Sequence, residues 1–171
     1  MSAARELLGG EGPGAVTHAQ VAERAGIARA TVYRHWPRTD RLLAEAMTMV
    51  PMPFFEAATT PDRTWLRSEL TAIARQLEHD DVRAVATTLA NASLWDNEMD
   101  ARRERFATIL TERLVAALAI AQARGEVVLN AAPEVAAALV VGPLYYRSTI
   151  EHGAVNSLLI EAVIEGLGTW R

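Results

Sequence analysis

Neither cysteine nor lysine occurs anywhere in the 171 residues. Without cysteine there is no disulfide, no thiolate metal site and no thiol nucleophile, a usage compatible with a reducing cytoplasm. Without lysine, all seventeen basic side chains are arginine. That absence carries no functional weight by itself, although arginine is the side chain suited to phosphate forks and guanine edges. Glycine and proline are scarce, and no segment reads convincingly as a strand. Apolar positions instead recur at three- and four-residue spacing, which favours helix throughout. The four histidines (His18, His35, His79, His152) show no metal-ligand spacing. The apolar runs near Ala136 and Leu158 are broken by Pro143, Arg147, Glu161 and Glu165 before reaching membrane-spanning length, and no signal peptide opens the chain. The expectation is a soluble, cytoplasmic, all-α protein with no metal, no cofactor and no membrane partner.

The net charge of −4 hides an asymmetry. Residues 1–43 hold six arginines against four acids, a net of +2, and the remainder is net −6. A basic end on an acidic body suggests that only that end meets a polyanion.

The basic end contains "THAQVAERAGIARATVYRHWPRTDRLL", Thr17 to Leu43. Thr17 and Gln20 have capping-box spacing, so a helix should start there, with Val21, Ala22 and Ala25 on its inner face. Gly26 stands where the chain needs a left-handed residue to leave that helix, and Ile27 supplies the apolar contact that commonly follows. A second short helix places Val32 and Trp36 inward and leaves Arg29, Ala30, Tyr33 and Arg34 outward. Pro37 stops it. Thr39 is placed to cap the next helix, Asp40 suits its positive end, and Leu42, Leu43 and Ala46 form its buried side. Small Ala22 and Gly26 permit a close, steep crossing, the helix-turn-helix arrangement. Short helices with solvated arginines also occur in ordinary bundles, so spacing alone leaves both readings open.

That stretch resembles the DNA-binding region of the TetR family of bacterial transcriptional regulators, and the likeness covers about the first quarter of the chain. The resemblance implies an all-α fold of about nine helices: a helix-turn-helix DNA-binding domain over residues 1–46 and a helical ligand-binding and dimerisation domain over 47–171. It implies scaffold roles for Thr17, Val21, Ala22, Ala25, Gly26 and Ile27, base-edge contacts from Arg29, Ala30 and Thr31, and phosphate contacts from Tyr33 and His35 with Arg34 nearby. The chemistry agrees, since arginine pairs with guanine, threonine and alanine meet a thymine methyl, and phenol or imidazole donates to phosphate. Backbone N–H groups beginning a helix at Thr39 add a further phosphate contact. The chain departs from the family at Ala28, where a capping serine is usual, at Thr39, where lysine is usual and Arg38 or Arg41 would have to substitute, and in its short amino-terminal segment without a basic arm.

Beyond the motif, "PMPF" (Pro51 to Phe54) should break the fourth helix. Further helices are expected from Pro61-Asp62 to near His79, over about 81–95, over 98–124 up to Gly125, from Pro133 to about Glu151 ended by Gly153, and over 155–170. Phe106, Ile109, Leu110, Leu114 and Leu118 form the stripe of the long one. The last two are apolar over more of their circumference than one core face needs and carry small residues that allow close approach. A four-helix interface in a homodimer would bury the excess through Leu139, Gly142, Tyr146, Leu158, Leu159, Ala162, Val163 and Gly166; the plainer reading is a buried pair within one chain.

For a small-molecule effector, the resemblance implies a cavity among the middle helices, with Trp65, Thr88, Asn91, Trp95, Phe106 and Tyr145 as candidates. Aromatics provide binding area, and Asn or Thr in a dry core would lack a partner; aromatic stripes are nonetheless packing first. An enzyme is not expected. The acids Asp80, Asp81, Asp96, Glu98 and Asp100 lie at helix starts, and no catalytic set or phosphate loop is legible. The combined expectation is a ligand-responsive repressor that binds double-stranded DNA as a homodimer; the alternative is a protein of the same fold that has lost specific DNA binding.

Overall fold

The computed structural model describes residues 1–47, 54–56, 58–79, 82–83, 87, 90 and 97–171. Eight helices and one small sheet occur among them, in the order α1 (Ser2–Glu11), α2 (His18–Ala25), α3 (Arg29–His35), α4 (Thr39–Met47), α5 (Arg63–Leu77), α6 (Asn97–Ala123), β1 (Val127–Leu129), α7 (Pro133–Tyr145), α8 (Ser157–Leu167) and β2 (Gly168–Trp170). The fold is all-α apart from that sheet. The break expected at Pro51–Pro53 and most of the helix expected over 81–95 lie outside the described residues.

The chain divides into two compact units, Met1–Met52 with Asp80–Glu104, and Pro53–His79 with Arg105–Arg171. In the first, α1 packs on α2 and α4, and α2 packs on α3. Leu7, Val16, Val21, Ala22, Val32, Leu42 and Leu43 fill its centre, with Trp36 half-buried against them. In the second, α8 packs on α5 and α7. Its core gathers Leu66 and Leu70 from α5, Leu114 and Leu118 from α6, Val140 and Leu144 from α7, and Ile160, Ile164 and Leu167 from α8. The stripe expected on α6 is only half realised: Leu114 and Leu118 are buried and Leu110 partly so, whereas Phe106 and Ile109 are exposed. Residues Met99–Ala123 of α6 are long and apolar enough to cross a membrane by length and composition alone. The same helix buries Leu114, Ala117, Leu118 and Ala121.

Local chemistry explains most boundaries. The Asp62 carboxylate accepts from Trp65 N–H at 2.7 Å to start α5, and the Asn156 side chain does the same for Leu159 N–H at 3.0 Å to start α8. Pro133 occupies the first turn of α7, where its missing N–H costs nothing, and Gly125 ends α6 at φ +72°. Pro143 inside α7 has no proton for the Leu139 carbonyl, and a π-type turn follows directly at Tyr146–Ile150. It is His152, at φ +52°, and not Gly153, that turns the chain after it. Gly153 serves a different need, since a Cβ there would lie 2.7 Å from Arg147 Cδ. An ion-paired cluster joins α5 to α8: Arg63 meets Glu161 at 3.0 Å and Glu165 at 3.3 Å, and Arg67 also pairs with Glu161. The hydrogen bond from Arg67 holds the Glu161 carboxyl below the usual carboxylate range.

The sheet corrects the expectation of no strand. β1 and β2 pair antiparallel, with Val127 opposite Trp170 and Leu129 opposite Gly168. Asn130 N–H donates to the Leu167 carbonyl at 2.8 Å, and Arg171 N–H to that of Glu126 at 3.0 Å. What was read as one helix to residue 170 therefore stops at Leu167. Gly168 permits the pairing, because a Cβ there would lie 2.1 Å from the Val128 carbonyl oxygen. Gly168→Ala is expected to open the ladder and to destabilise the protein by about 1–3 kcal/mol. Urea unfolding and amide exchange at Val127–Leu129 are the checks; unchanged values would show that the backbone can shift to admit the methyl.

Candidate nucleic-acid interface

Helix α2 is set at both ends by its sequence. Thr17 Oγ1 accepts from Gln20 N–H at 3.2 Å, and the Thr17 hydroxyl donates to Gln20 Oε1 at 3.0 Å. The second arm thus differs from a reciprocal capping box, in which the Gln side chain would reach the Thr17 backbone; that N–H donates instead to Ala15 O. At the other end Gly26 takes φ +66°, with Gly26 N–H on Glu23 O and Ile27 N–H on Ala22 O, a Schellman turn. Ile27 does not complete it with buried contact, being 46% exposed. Nor is Ala25 on the inner face; His18, Val21 and Ala22 are.

The turn delivers α3. Its N-cap, Ala28, makes no side-chain hydrogen bond, a loss worth about 0.5–2 kcal/mol relative to serine or threonine. Val32, wholly buried, fixes the inner side. Trp36 closes the far end by donating Nε1–H to Glu45 of α4 at 2.7 Å. With those positions held, Arg29, Ala30, Tyr33, Arg34 and His35 are exposed and Thr31 is half-exposed. Among the described residues neither Arg29 nor Arg34 has a carboxylate partner. Both guanidinium groups are therefore available to an anion. Arg24, by contrast, is engaged with Glu11 at 2.5 Å.

At the start of α4 the sequence reading needs revision. Thr39 is exposed but does not cap: it is the first residue of the helix, and its hydroxyl meets His18 Nδ1 at 3.3 Å. Arg38, considered as a stand-in for a phosphate-binding lysine, forms a two-pronged pair with Asp40, Nε to Oδ1 at 3.0 Å and Nη2 to Oδ2 at 2.5 Å. That pairing, ahead of the Arg41 backbone bond, holds the Asp40 carboxyl below the ordinary carboxylate range. Its folded pKa being the lower one, the stabilisation is present above that range and lost as pH falls through the lowered value. His18 is the residue that sequence reasoning missed. Its i, i+3, i+4 spacing with Val21 and Ala22 was the available signal.

The remaining ligand and interface candidates lie in the second unit or outside the described residues. Thr88, Asn91 and Trp95 are outside. Trp65 is half-buried against the core with its ring 6.1 Å from Phe55, and Tyr145 is half-buried. Phe106 is 43% exposed, so it does not line a closed core in this chain. Of the interface candidates, Leu139 (50%), Tyr146 (53%) and Leu158 (79%) are exposed apolar side chains. Gly142, Ala162 and Gly166 are exposed as well. Leu159 is half-buried against the core, and Val163 is buried within it; Val163 is thus turned into its own protomer and not outward. Asp100, one of the acids weighed for catalysis, is paired with Arg103 at 2.7 Å. Among the described residues no cluster of His, Asp and Glu has metal-site geometry.

Comparison with known proteins gives two family matches, one at each end of the chain. The family model for bacterial regulatory proteins of the tetR family matches residues 1–46, and that for the tetracyclin repressor-like C-terminal domain matches residues 60–167. An uncharacterized HTH-type transcriptional regulator of Mycobacterium tuberculosis (strain ATCC 25618 / H37Rv) is 30% identical over 152 residues, covering 87% of this chain and 77% of that protein. Another, YdeS of Bacillus subtilis (strain 168), is 26% identical over 169 residues, covering 96% and 83%. The fold is shared with the TetR family transcription regulator SCO0332 at a TM-score of 0.71 and 20% identity, over 98% of this chain and 95% of that one. It is also shared with NalD of Pseudomonas aeruginosa, the secondary repressor of the MexAB-OprM multidrug efflux pump, at a TM-score of 0.57 and 23% identity, over 98% and 92%.

The Arg38–Asp40 pair generates a test on duplex DNA. Asp40→Asn removes a negative charge at the start of α4 and breaks its ion pair with Arg38. It is expected to tighten binding to all sequences alike, by removing a repulsion from the phosphates, and most at low salt. Titrations at several salt concentrations measure this, and an unchanged affinity would mean that the Asp40 charge is not felt by the duplex.

Proposed function

The chain belongs to the TetR family of bacterial regulatory proteins, DNA-binding transcription factors rather than enzymes, and on that premise we propose that it is a ligand-responsive repressor. In this reading it binds a near-palindromic operator as a homodimer in the cytoplasm and is released by a small, largely apolar molecule. Residues 1–46 read DNA, and residues 47–171 dimerise and bind the effector.

The observation that carries the reading is the sorting of α3. Buried Val32 and the Trp36–Glu45 bond turn one side inward, and two arginines without carboxylate partners among the described residues, a phenol and an imidazole project from the other. In this reading Arg29, with Ala30 and Thr31, meets base edges, whereas Tyr33, Arg34 and His35 meet the flanking phosphates. Thr39 enters only through the backbone at the start of α4, its hydroxyl being taken by His18. One helix of seven residues reads few base pairs, so specificity calls for a second copy meeting the next major-groove face about 34–36 Å away or a multiple of it. Exposed Leu139, Tyr146 and Leu158 on α7, the π turn and α8 provide apolar surface for that second copy, with Gly142, Ala162 and Gly166 allowing close approach.

For the effector, Trp65 and Tyr145 remain candidates in the second unit. Release is a coupling between two binding equilibria. Effector and operator must therefore weaken each other by the same factor.

Two outcomes test the proposal. Arg29→Ala is expected to cost about 1–3 kcal/mol on the selected operator and to relax its base preference, while Tyr33→Phe weakens all sequences similarly. Footprinting and affinity measurements on DNA selected from random sequence decide this, and two variants that bind like wild type would place the recognition surface elsewhere. Separately, Leu139→Glu with Leu158→Glu should convert a dimer to monomers in sedimentation at micromolar concentration, with helicity retained. A monomeric wild type that still binds the operator would defeat the dimer reading.

A further inference from the structure

His18 stands at the start of α2 yet is only 5% exposed, and its ring touches three residues of α3 and α4. Its Nε2 lies 2.5 Å from the carbonyl oxygen of Trp36, the residue that ends α3. A carbonyl only accepts, so Nε2 carries the proton. Nδ1 lies 3.3 Å from the Thr39 hydroxyl, at the first residue of α4. One face of the ring is stacked on Tyr33, with centroids 4.3 Å apart and planes 25° from parallel. Tyr33 itself remains 51% exposed, resting on His18 on one side and open on the other.

From this arrangement we propose that His18 is a positioning residue of the DNA interface: it holds the Tyr33 phenol ready for phosphate and ties the end of α3 to the start of α4. The inference rests on the DNA-binding reading above. An exposed tyrosine free to change rotamer loses conformational entropy when it is fixed against a phosphate. Stacking fixes it before DNA arrives. A leucine or valine at position 18 would fill the space but offer neither a flat face nor polar atoms for Trp36 O and Thr39 Oγ1. A histidine that served only the core would lower stability when replaced, with no special relation to Tyr33. The two roles are separable because a positioning role must couple to the Tyr33 hydroxyl.

The test uses the full-length protein, the DNA duplex that wild type enriches from random sequence, and the variants His18→Leu, His18→Phe, Tyr33→Phe and His18→Leu/Tyr33→Phe. His18→Leu is expected to weaken binding about tenfold, equally on the selected duplex and on its single-base variants. His18→Phe, which keeps the stacked face, should restore most of that loss. In the Tyr33→Phe background His18→Leu should cost less than about threefold, because the phenol it positions has already gone. In the free wild-type protein the Tyr33 ring protons should resonate upfield of ordinary tyrosine, a reading that needs neither DNA nor a folded variant. Losses that simply multiply, a phenylalanine variant no better than leucine, or Tyr33 protons at ordinary positions would each overturn the proposal. Wild-type protein that enriches no DNA removes the DNA-binding reading and this inference with it. DNA binding by wild type with equal affinity in His18→Leu removes this inference alone.

Discussion

A helix of seven residues has almost no stability of its own in water, where about twelve to fifteen are needed even for favourable sequences. Everything that α3 presents therefore depends on how it is held. Val32 supplies the hydrophobic part of that hold, fully buried among residues of α1, α2 and α4. The Trp36 side chain and carbonyl supply the polar part, bound to Glu45 and His18. The missing cap at Ala28 makes these attachments more important, because the amino end of α3 receives no side-chain help. Neither Arg29 nor Arg34 is tied to a carboxylate among the described residues, so the attachments that hold the helix run through other side chains.

Electrostatics repeats the division of labour at larger scale. The acids of the first unit are used selectively, Glu11 on Arg24 and Asp40 on Arg38, leaving Arg29 and Arg34 without carboxylate partners among the described residues. In the second unit the ion-paired cluster of Arg63, Arg67, Glu161 and Glu165 joins two helices and is spent on the fold. These pairs are partly exposed, so each contributes little to stability and more to alignment. The same side chain is thus fastened to a carboxylate at Arg24, Arg38, Arg63 and Arg67 and left without a carboxylate partner, among the described residues, at Arg29 and Arg34.

How much was readable in advance follows from the range of the interaction concerned. Local signals were legible: Thr17, Gly26, Asp62, Gly125 and Pro133 act within a few residues of themselves, and the helices begin or end where they stand. Val32 was legible because a helix face has a fixed period, and the outward set of α3 follows from it. His18 was not, since its partners are Tyr33, Trp36 and Thr39, and nothing within one turn of it indicates that a ring will stack there. The Thr39 hydroxyl was misassigned for the same reason: its contact is twenty-one residues away. The three-residue strands carry no period at all and are defined only by each other. Val163 and Phe106 show a further limit, because an apolar helix announces that it will be covered without saying which side meets its own chain.

The strand pair has a topological meaning as well. By joining Val127 to Trp170 it closes the main chain between them, including α7 and α8, into a ring with a hydrogen-bonded seam. Residues 168–171 form the seam: Arg171 N–H is bonded to Glu126 O, and Trp170 reaches back with Nε1–H to the Ile164 carbonyl at 2.9 Å. Loss of that segment would consequently act like opening a clasp, setting free both ends of the apolar hairpin at once.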